Sequence, residues 1–169
     1  MSPILRNAHA GDHAAILQLN LASEALLSPL DAARLAALDA QAAYHRVVEV
    51  DGAPVAFVLA LREGRDYDSA NYRWFAERYR RFVYVDRIAI AEAHRGKQLG
   101  RALYDDLFAF ARASAVAVLT CEFYSVPFNE ASSRFHARFG FREVGRQWLA
   151  GGDKQVSLQV ATLPPQSSD

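Results

Sequence analysis

The side chains most suited to binding or catalysis lie in two segments of the 169-residue chain, 83–101 and 120–140. In the first, an apolar run ends at a basic, glycine-containing turn that opens an amphipathic helical pattern. Backbone N–H groups at such a turn point to one spot, and the positive end of the helix dipole adds to them. The turn is therefore predicted to bind a pyrophosphate. It reads Arg95-Gly96-Lys97-Gln98-Leu99-Gly100-Arg101.

Gly96 and Gly100 allow a positive φ or a close approach between the backbone and a phosphate. The ordinary alternative is a strand-to-helix turn with solvated basic side chains. Spacing excludes two well-known phosphate motifs. The chain has no Gly-Lys-Ser/Thr of a P-loop, and no Gly-x-Gly-x-x-Gly with an acidic residue about 20 positions further on.

Two carboxylates are candidates for accepting a proton. Asp86 interrupts the predicted strand 83–90, and its strand face is shared with Ile88. It is expected to face an acceptor amine as base or anchor, or else to pair with an arginine. Glu122 on the next predicted strand is the rival base, and a water chain to either carboxylate would also serve.

His136 is the third ionisable candidate. Ser132 and His136 are one helical turn apart, so both are expected to face one ligand, while Phe135 and Phe139 face the core. A single histidine on an amphipathic helix is otherwise a packing residue.

Together these segments resemble the GNAT superfamily of acyl-CoA N-acyltransferases. The run 84–88, together with Phe135-His136 and the run 141–145, is similar to a little-characterised branch of predicted acetyltransferases. The turn is similar to the family's acyl-CoA loop, Gln/Arg-x-x-Gly-x-Gly/Ala, and stands here as Arg95-x-x-Gln98-x-Gly100. Gln98 occupies a position where the family usually has glycine, and its amide is expected to remain available. Segment 129–141 resembles the family's Asn-led helix that closes on Gly-Phe, with His136 at the position of the catalytic tyrosine.

This resemblance implies acetyl-CoA as co-substrate, no metal, and direct acetyl transfer to a primary amine of a small molecule or exposed peptide. It implies that His136 is a general acid toward the departing thiolate, or that it only contacts the CoA arm. Because the usual tyrosine is absent, the alternative is a non-catalytic acyl-CoA-binding or sensing module. The implied cofactor-binding residues are Ile88, Ala89 and Ile90 for the pantetheine arm, Arg95, Gly96, Lys97, Gln98, Leu99, Gly100 and Arg101 for the pyrophosphate, and Asn129 and Ser132 near the thiol.

Segment 63–82 alternates aromatic residues with arginines. Such a pattern can stack on bases, but Tyr72, Phe75 and Tyr79 fall at helical spacing, which favours a short helix packed on the sheet. As a lid over the acceptor, the segment would offer Arg73 and Arg78 to a carboxylate-bearing amine. No nucleic-acid partner is expected.

The elements that position these residues form an α/β (α+β mixed) pattern. The resemblance implies a GNAT-like central mixed, mostly antiparallel sheet of about six or seven strands, flanked by helices and splayed between strands 4 and 5. Asp51-Gly52 predicts a tight hairpin turn. The predicted strands are 4–8, 44–50, 55–61, 83–90, 116–123, 141–149 and 155–163, and the predicted helices are 12–27, 29–38, one beginning at 99, and 129–139.

Composition limits the remaining options. The 19 basic and 19 acidic residues cancel, so no global charge recruits nucleic acid or an anionic membrane. The single cysteine, Cys121, cannot form a disulfide within the chain, and no apolar run approaches the roughly 20 residues of a membrane span. We expect one GNAT domain over 1–163, a frayed tail over 164–169, and a cytoplasmic protein. Analogy of fold alone suggests homodimerisation through the last strands.

Overall fold

The computed structural model describes residues 2–165, so the predicted frayed tail falls largely outside the described residues. A seven-stranded sheet has the strand order β1-β2-β3-β4-β5-β7-β6. The strands are β1 Ile4–Asn7, β2 Tyr44–Val50, β3 Ala53–Arg62, β4 Val83–Ile90, β5 Val118–Val126, β6 Arg142–Trp148 and β7 Gln155–Thr162. The helices are α1 His13–Ala22, α2 Ala32–Gln41, α3 Ala70–Ala76, α4 Leu99–Ala113 and α5 Glu130–Arg138.

The sheet is mixed and mostly antiparallel, as expected. β1 with β2, β2 with β3, β5 with β7 and β6 with β7 are antiparallel pairs. β4 and β5 run parallel, and their ladder joins Val83 to Leu119 and Tyr84 to Thr120, at the beginning of both strands.

The chain divides into two compact units. One contains the residues up to Leu61 together with Val85–Phe110, and the other contains Arg62–Tyr84 and the described residues from Ala111 onward. The expectation of one domain over 1–163 stays a prediction. No helix within residues 2–165 is long and apolar enough to cross a membrane.

In the first unit, the hairpin between β2 and β3 turns at Asp51 and Gly52, whose φ values of 52° and 81° are those of a type I′ turn. α2 begins after Asp31, whose carboxylate accepts the Arg34 amide at 2.7 Å. The predicted first helix, 12–27, is too long. α1 ends at Ala22, and the amide of Asn20 donates to the Ser28 carbonyl at 3.1 Å, which fixes a turn in place of further helix.

In the second unit, the chain leaves α4 through Ala115, which has a φ of 55°. The Val116 amide still donates to the Ala111 carbonyl at 2.9 Å, so β5 begins two residues later than predicted. Segment 63–82 contains the expected short helix, α3, with Ser69 as its N-cap. Tyr72 and Phe75 are buried, whereas Tyr79 lies beyond the end of α3.

Candidate functional site

The turn before α4 has the backbone shape that a pyrophosphate site needs. Gly96 and Gln98 both adopt positive φ, 75° and 66°. The first helical hydrogen bond of α4 runs from the Ala102 amide to the Gln98 carbonyl at 3.0 Å. The N–H groups of 96–101 donate to no acceptor within the described part of the chain. They are therefore available to a ligand at the positive end of α4.

Of the two glycines in this turn, Gly96 adopts the positive φ that the sequence allows. Gly100 lies in the first turn of α4, buried and without a positive φ, and Gln98 adopts the left-handed conformation. Gln98 thus keeps the backbone conformation that glycine adopts easily, although this conformation is less favourable for a non-glycine residue by about 1–2 kcal/mol. Arg95 and Lys97 are exposed, and Arg101 Nε lies 3.7 Å from Asp105 Oδ2 in an exposed pair.

The part of β4 from Val85 onward leads into this turn in the same unit. Its side chains alternate, with Ala89 buried and Ile88 and Ile90 half-buried. The Ala91 amide donates to the Val55 carbonyl at 2.8 Å, which anchors the end of β4 to β3. The strand that the resemblance assigns to the pantetheine arm is therefore held firmly by its neighbour.

Asp86 pairs with an arginine, one of the alternatives expected from the sequence. Its carboxylate lies 2.7 Å from Nε of Arg87, and each side chain is 3% exposed. Arg87 also donates to Asn20 Oδ1 at 2.8 Å and to the Ser28 carbonyl and hydroxyl oxygens, each at 3.1 Å. Arg87 was not predicted as a site residue. The sequence feature that could have identified it is a second ionisable residue in an otherwise apolar strand.

Glu122, in the second unit, is held by neutral donors. The Tyr84 hydroxyl donates to its Oε1 at 2.7 Å, and the Asn71 amide donates to the same oxygen at 3.1 Å. Gln147 in turn donates to Asn71 Oδ1 at 3.0 Å. The glutamate is half-buried. Asn71 and Gln147 were not predicted as site residues, because they lie far from Glu122 in sequence.

The beginning of α5 is capped by Asn129, whose Oδ1 accepts the Ser132 amide at 3.2 Å. One turn on, Nδ1 of His136 lies 2.8 Å from the Ser132 carbonyl and 3.1 Å from its hydroxyl. A carbonyl oxygen only accepts hydrogen bonds, so Nδ1 carries the proton.

The predicted orientation of α5 is wrong. His136 is 4% exposed, whereas Phe135 and Phe139 are half-buried. Its ring centroid lies 5.6 Å from that of Phe123 and 5.2 Å from those of Phe135 and Phe141. This burial lowers the pKa of His136 to about 4, so the imidazole is neutral at pH 7. Sequence periodicity could not anticipate the rings that β5 and the start of β6 bring to this face.

The candidate residues thus form two groups, each within one unit. The turn, Ile88, Ala89, Ile90 and Asp86 belong to the first, and Glu122, Asn129, Ser132 and His136 to the second. Among residues 2–165, no cluster of three or more histidine, cysteine or acidic side chains is arranged to hold a metal ion.

Comparison with solved structures shows the fold. The ribosomal-protein-S18-alanine N-acetyltransferase of Escherichia coli is 14% identical, with a TM-score of 0.75 over 99% of this chain and 98% of that one. The yncA protein of Salmonella typhimurium, a putative acetyltransferase solved with its cofactor acetyl-CoA, is 22% identical, with a TM-score of 0.73 over 100% and 98%. The NAA60 protein of Arabidopsis thaliana, in complex with a bisubstrate analogue, is 15% identical, with a TM-score of 0.76 over 96% and 98%.

No curated protein matches the sequence. A family model does match, over residues 14–141, and its description is the acetyltransferase (GNAT) family. This match includes β4, the turn, α4, β5 and α5. The chain therefore belongs to the acetyltransferase (GNAT) family.

Proposed function

We propose that this protein transfers the acetyl group of acetyl-CoA directly to a primary amine of a small molecule or an exposed peptide. The turn at 96–101 carries the proposal. Its amides donate to no acceptor among residues 2–165, and Gln98 keeps the positive φ of 66° at the position where the family usually has glycine. The yncA structure contains acetyl-CoA, which supports the choice of cofactor.

In this proposal, the amides of 96–101 bind the pyrophosphate, and Arg95, Lys97 and Arg101 add charge-assisted hydrogen bonds. The backbone of Ile88, Ala89 and Ile90 holds the pantetheine arm in the manner of an added strand. Asn129 uses Oδ1 to cap α5, which leaves its Nδ2 group for the arm.

The chemistry requires a base, an electrophile and a leaving group. The base takes a proton from the ammonium group, and the amine nitrogen then attacks the thioester carbonyl carbon. The tetrahedral intermediate collapses with cleavage of the C–S bond, which gives the amide and the CoA thiolate. That thiolate then takes a proton.

Glu122 is the proposed base. Its carboxylate accepts hydrogen bonds from the neutral groups of Tyr84 and Asn71. Asp86, by contrast, shares a buried ion pair with Arg87, and protonating it would leave the guanidinium without its counter-charge.

For His136, we propose a positioning role in place of general acid catalysis. Its Nδ1 proton is held by the Ser132 carbonyl, and a pKa of about 4 leaves almost no imidazolium at pH 7. The imidazole fixes Ser132 and the first turns of α5, and with them Asn129.

The same observation favours a second candidate, an acyl-CoA-binding module without catalysis, because a neutral, buried histidine stands where the family's tyrosine would be. The test is incubation with acetyl-CoA and a panel of small amines and short peptides with free N-termini. CoA release is followed by thiol detection, and acetylated product by mass spectrometry. Product formed by the wild type and lost in Glu122→Gln supports the enzyme. Saturable acetyl-CoA binding without product on any amine supports the module.

A further inference from the structure

We propose that Asn71 and Gln147 form an amide relay that orients and stabilises the ionised carboxylate of Glu122. The contacts themselves lie within one unit. Only their effect on catalysis rests on the proposed function. Asn71 and Gln147 act on the reaction through Glu122, so they are positioning residues.

One carboxylate oxygen receives both hydrogen bonds. Asn71 Nδ2 lies 3.1 Å from Glu122 Oε1, and the Tyr84 hydroxyl lies 2.7 Å from the same atom. The terminal torsion of a glutamate side chain is broad and roughly two-fold, so an unheld carboxylate rotates. Two donors on Oε1, one from α3 and one from β4, fix its plane.

The relay also fixes the direction of the Asn71 amide. Gln147 Nε2 lies 3.0 Å from Asn71 Oδ1, and an N–H group needs an acceptor there. The Asn71 oxygen therefore faces Gln147, and its NH₂ group faces Glu122. Reversal of the amide would place oxygen against carboxylate and N–H against N–H. The relay thus presents a donor, and it favours the charged form of Glu122.

Close packing between α3 and β6 makes this relay geometrically feasible. Asn71 and Trp74 are three residues apart on α3, and Gly145 and Gln147 are two apart on β6, so each pair shares a face of its element. A Cβ atom at Gly145 would lie 2.6 Å from Cζ2 of Trp74. Any side chain at position 145 would therefore have to displace the Trp74 ring of α3.

The groups around Glu122 decide how its titration is interpreted. β4 contributes the Tyr84 phenol, and Cys121 is the preceding residue of β5, with its pKa raised by burial and by the Glu122 charge. α3 contributes the amide of Asn71, and β7 places Leu158 directly opposite. A change at Asn71 therefore alters a neutral donor and leaves the Tyr84 phenol and the Cys121 thiol in place.

The first test is an NMR titration of the Glu122 side-chain carboxyl carbon in the free, full-length protein, which needs no substrate. Loss of the donor in Asn71→Ala is expected to raise the Glu122 pKa by about 0.5–1 unit. Asn71→Asp is expected to raise it further, because a second carboxylate then stands beside the first. Gln147→Ala should cause a smaller rise of the same sign. Gln18→Ala, an exposed amide on α1, is the control and should cause none.

The second test is the pH dependence of kcat/KM with an accepted amine. The acidic limb should move upward in Asn71→Ala by the same amount as the NMR pKa, with a lower kcat and an unchanged KM for acetyl-CoA. In Glu122→Gln the limb should disappear.

These outcomes distinguish the amide relay from the assignment of Glu122 as the base. An unchanged Glu122 titration in folded Asn71→Ala protein overturns the relay, whatever the activity. A limb that persists in Glu122→Gln overturns the proposed base and leaves the relay as a structural contact only. Asn71→Gln keeps the NH₂ donor, and a Glu122 pKa equal to that of the wild type in this variant would support the relay. A Glu122 pKa as high as that of Asn71→Ala would count against it.

Discussion

The guanidinium of Arg87 and the carboxylate of Asp86, adjacent residues of β4, form a 2.7 Å ion pair in which each side chain is only 3% exposed. Asn20 and Ser28 satisfy further donors of the guanidinium. The pair therefore joins the end of α1 and the connection to α2 to the strand that leads into the pyrophosphate turn. Buried charges keep this arrangement only when every partner is present.

Removal of one partner should therefore destabilise the protein strongly. Arg87→Ala is expected to lower the free energy of unfolding by about 3–5 kcal/mol, because Asp86 is left buried without its counter-charge. The matched control is Arg134→Ala, which breaks a 2.6 Å pair with Glu130 whose side chains are 72% and 63% exposed. It should lower the free energy of unfolding by less than about 1 kcal/mol. Urea unfolding measures both, and equal losses would contradict the account.

The left-handed backbone of Gln98 leads to a second prediction. Gln98→Gly should stabilise the protein by up to about 1 kcal/mol and keep or tighten acetyl-CoA binding, because glycine adopts a φ of 66° without strain. Gln98→Val should have the opposite effect on both, since a β-branched residue is disfavoured there. Thermal unfolding and calorimetric titration check the pair. Tighter binding by the valine variant would mean that the turn has a different shape.

The burial of His136 predicts a pH dependence of stability. The pKa is about 4 in the folded state against 6.5 for the ordinary side chain, so the unfolded chain binds more protons between these values. Stability should be complete above pH 6.5 and fall by up to about 3 kcal/mol as the pH approaches 4. His45, whose pKa burial also lowers, acts in the same direction.

The measurement is urea unfolding of the wild type and of His136→Phe at pH 7 and pH 4.5. The phenylalanine variant should lose less stability between these two pH values, because it has no imidazole to protonate on unfolding. An identical loss in both proteins would show that His136 is not the source of the dependence.

Local features of the fold were readable from the sequence. Asp51 and Gly52 supply the positive φ of a two-residue hairpin, and the glycine-bearing turn before Leu99 marks the beginning of α4. Both depend on residues close together in the chain. The end of α1 could not be predicted from the sequence, because it is set by contacts of Asn20 and Ser28 with Arg87. Arg87 is 67 and 59 residues away from them along the chain.

The candidate site shows the same limit. Its residue types were found from spacing and from the resemblance to the GNAT family, but their partners were not. Asn71 and Gln147 form their contacts near Glu122 only when α3 packs on β6. The rings of Phe123, Phe135 and Phe141 surround His136. Tertiary packing thus lowers the pKa of His136, a shift that its position in the sequence does not indicate.

The arginines of segment 63–82 lead to a further prediction. Arg78 is committed to Trp74, with its guanidinium 3.9 Å from the ring centroid and a 2.9 Å hydrogen bond to the Trp74 carbonyl. Arg73 is exposed on α3. If the segment is an acceptor lid for a carboxylate-bearing amine, Arg73→Ala should raise the acceptor KM several-fold, and Arg78→Ala should chiefly loosen α3. Steady-state kinetics on such an amine checks this, and an unchanged acceptor KM in both variants would exclude the lid role.

The most direct test of the central claim is calorimetric titration of the purified protein with acetyl-CoA, alongside Gly100→Val. Gly100 is buried in the first turn of α4, so a β-branched side chain there should obstruct the amides of the turn. The account predicts saturable one-site binding by the wild type and much weaker binding by the variant. A folded wild-type sample that does not bind acetyl-CoA, or a variant that binds it equally well, would contradict the account.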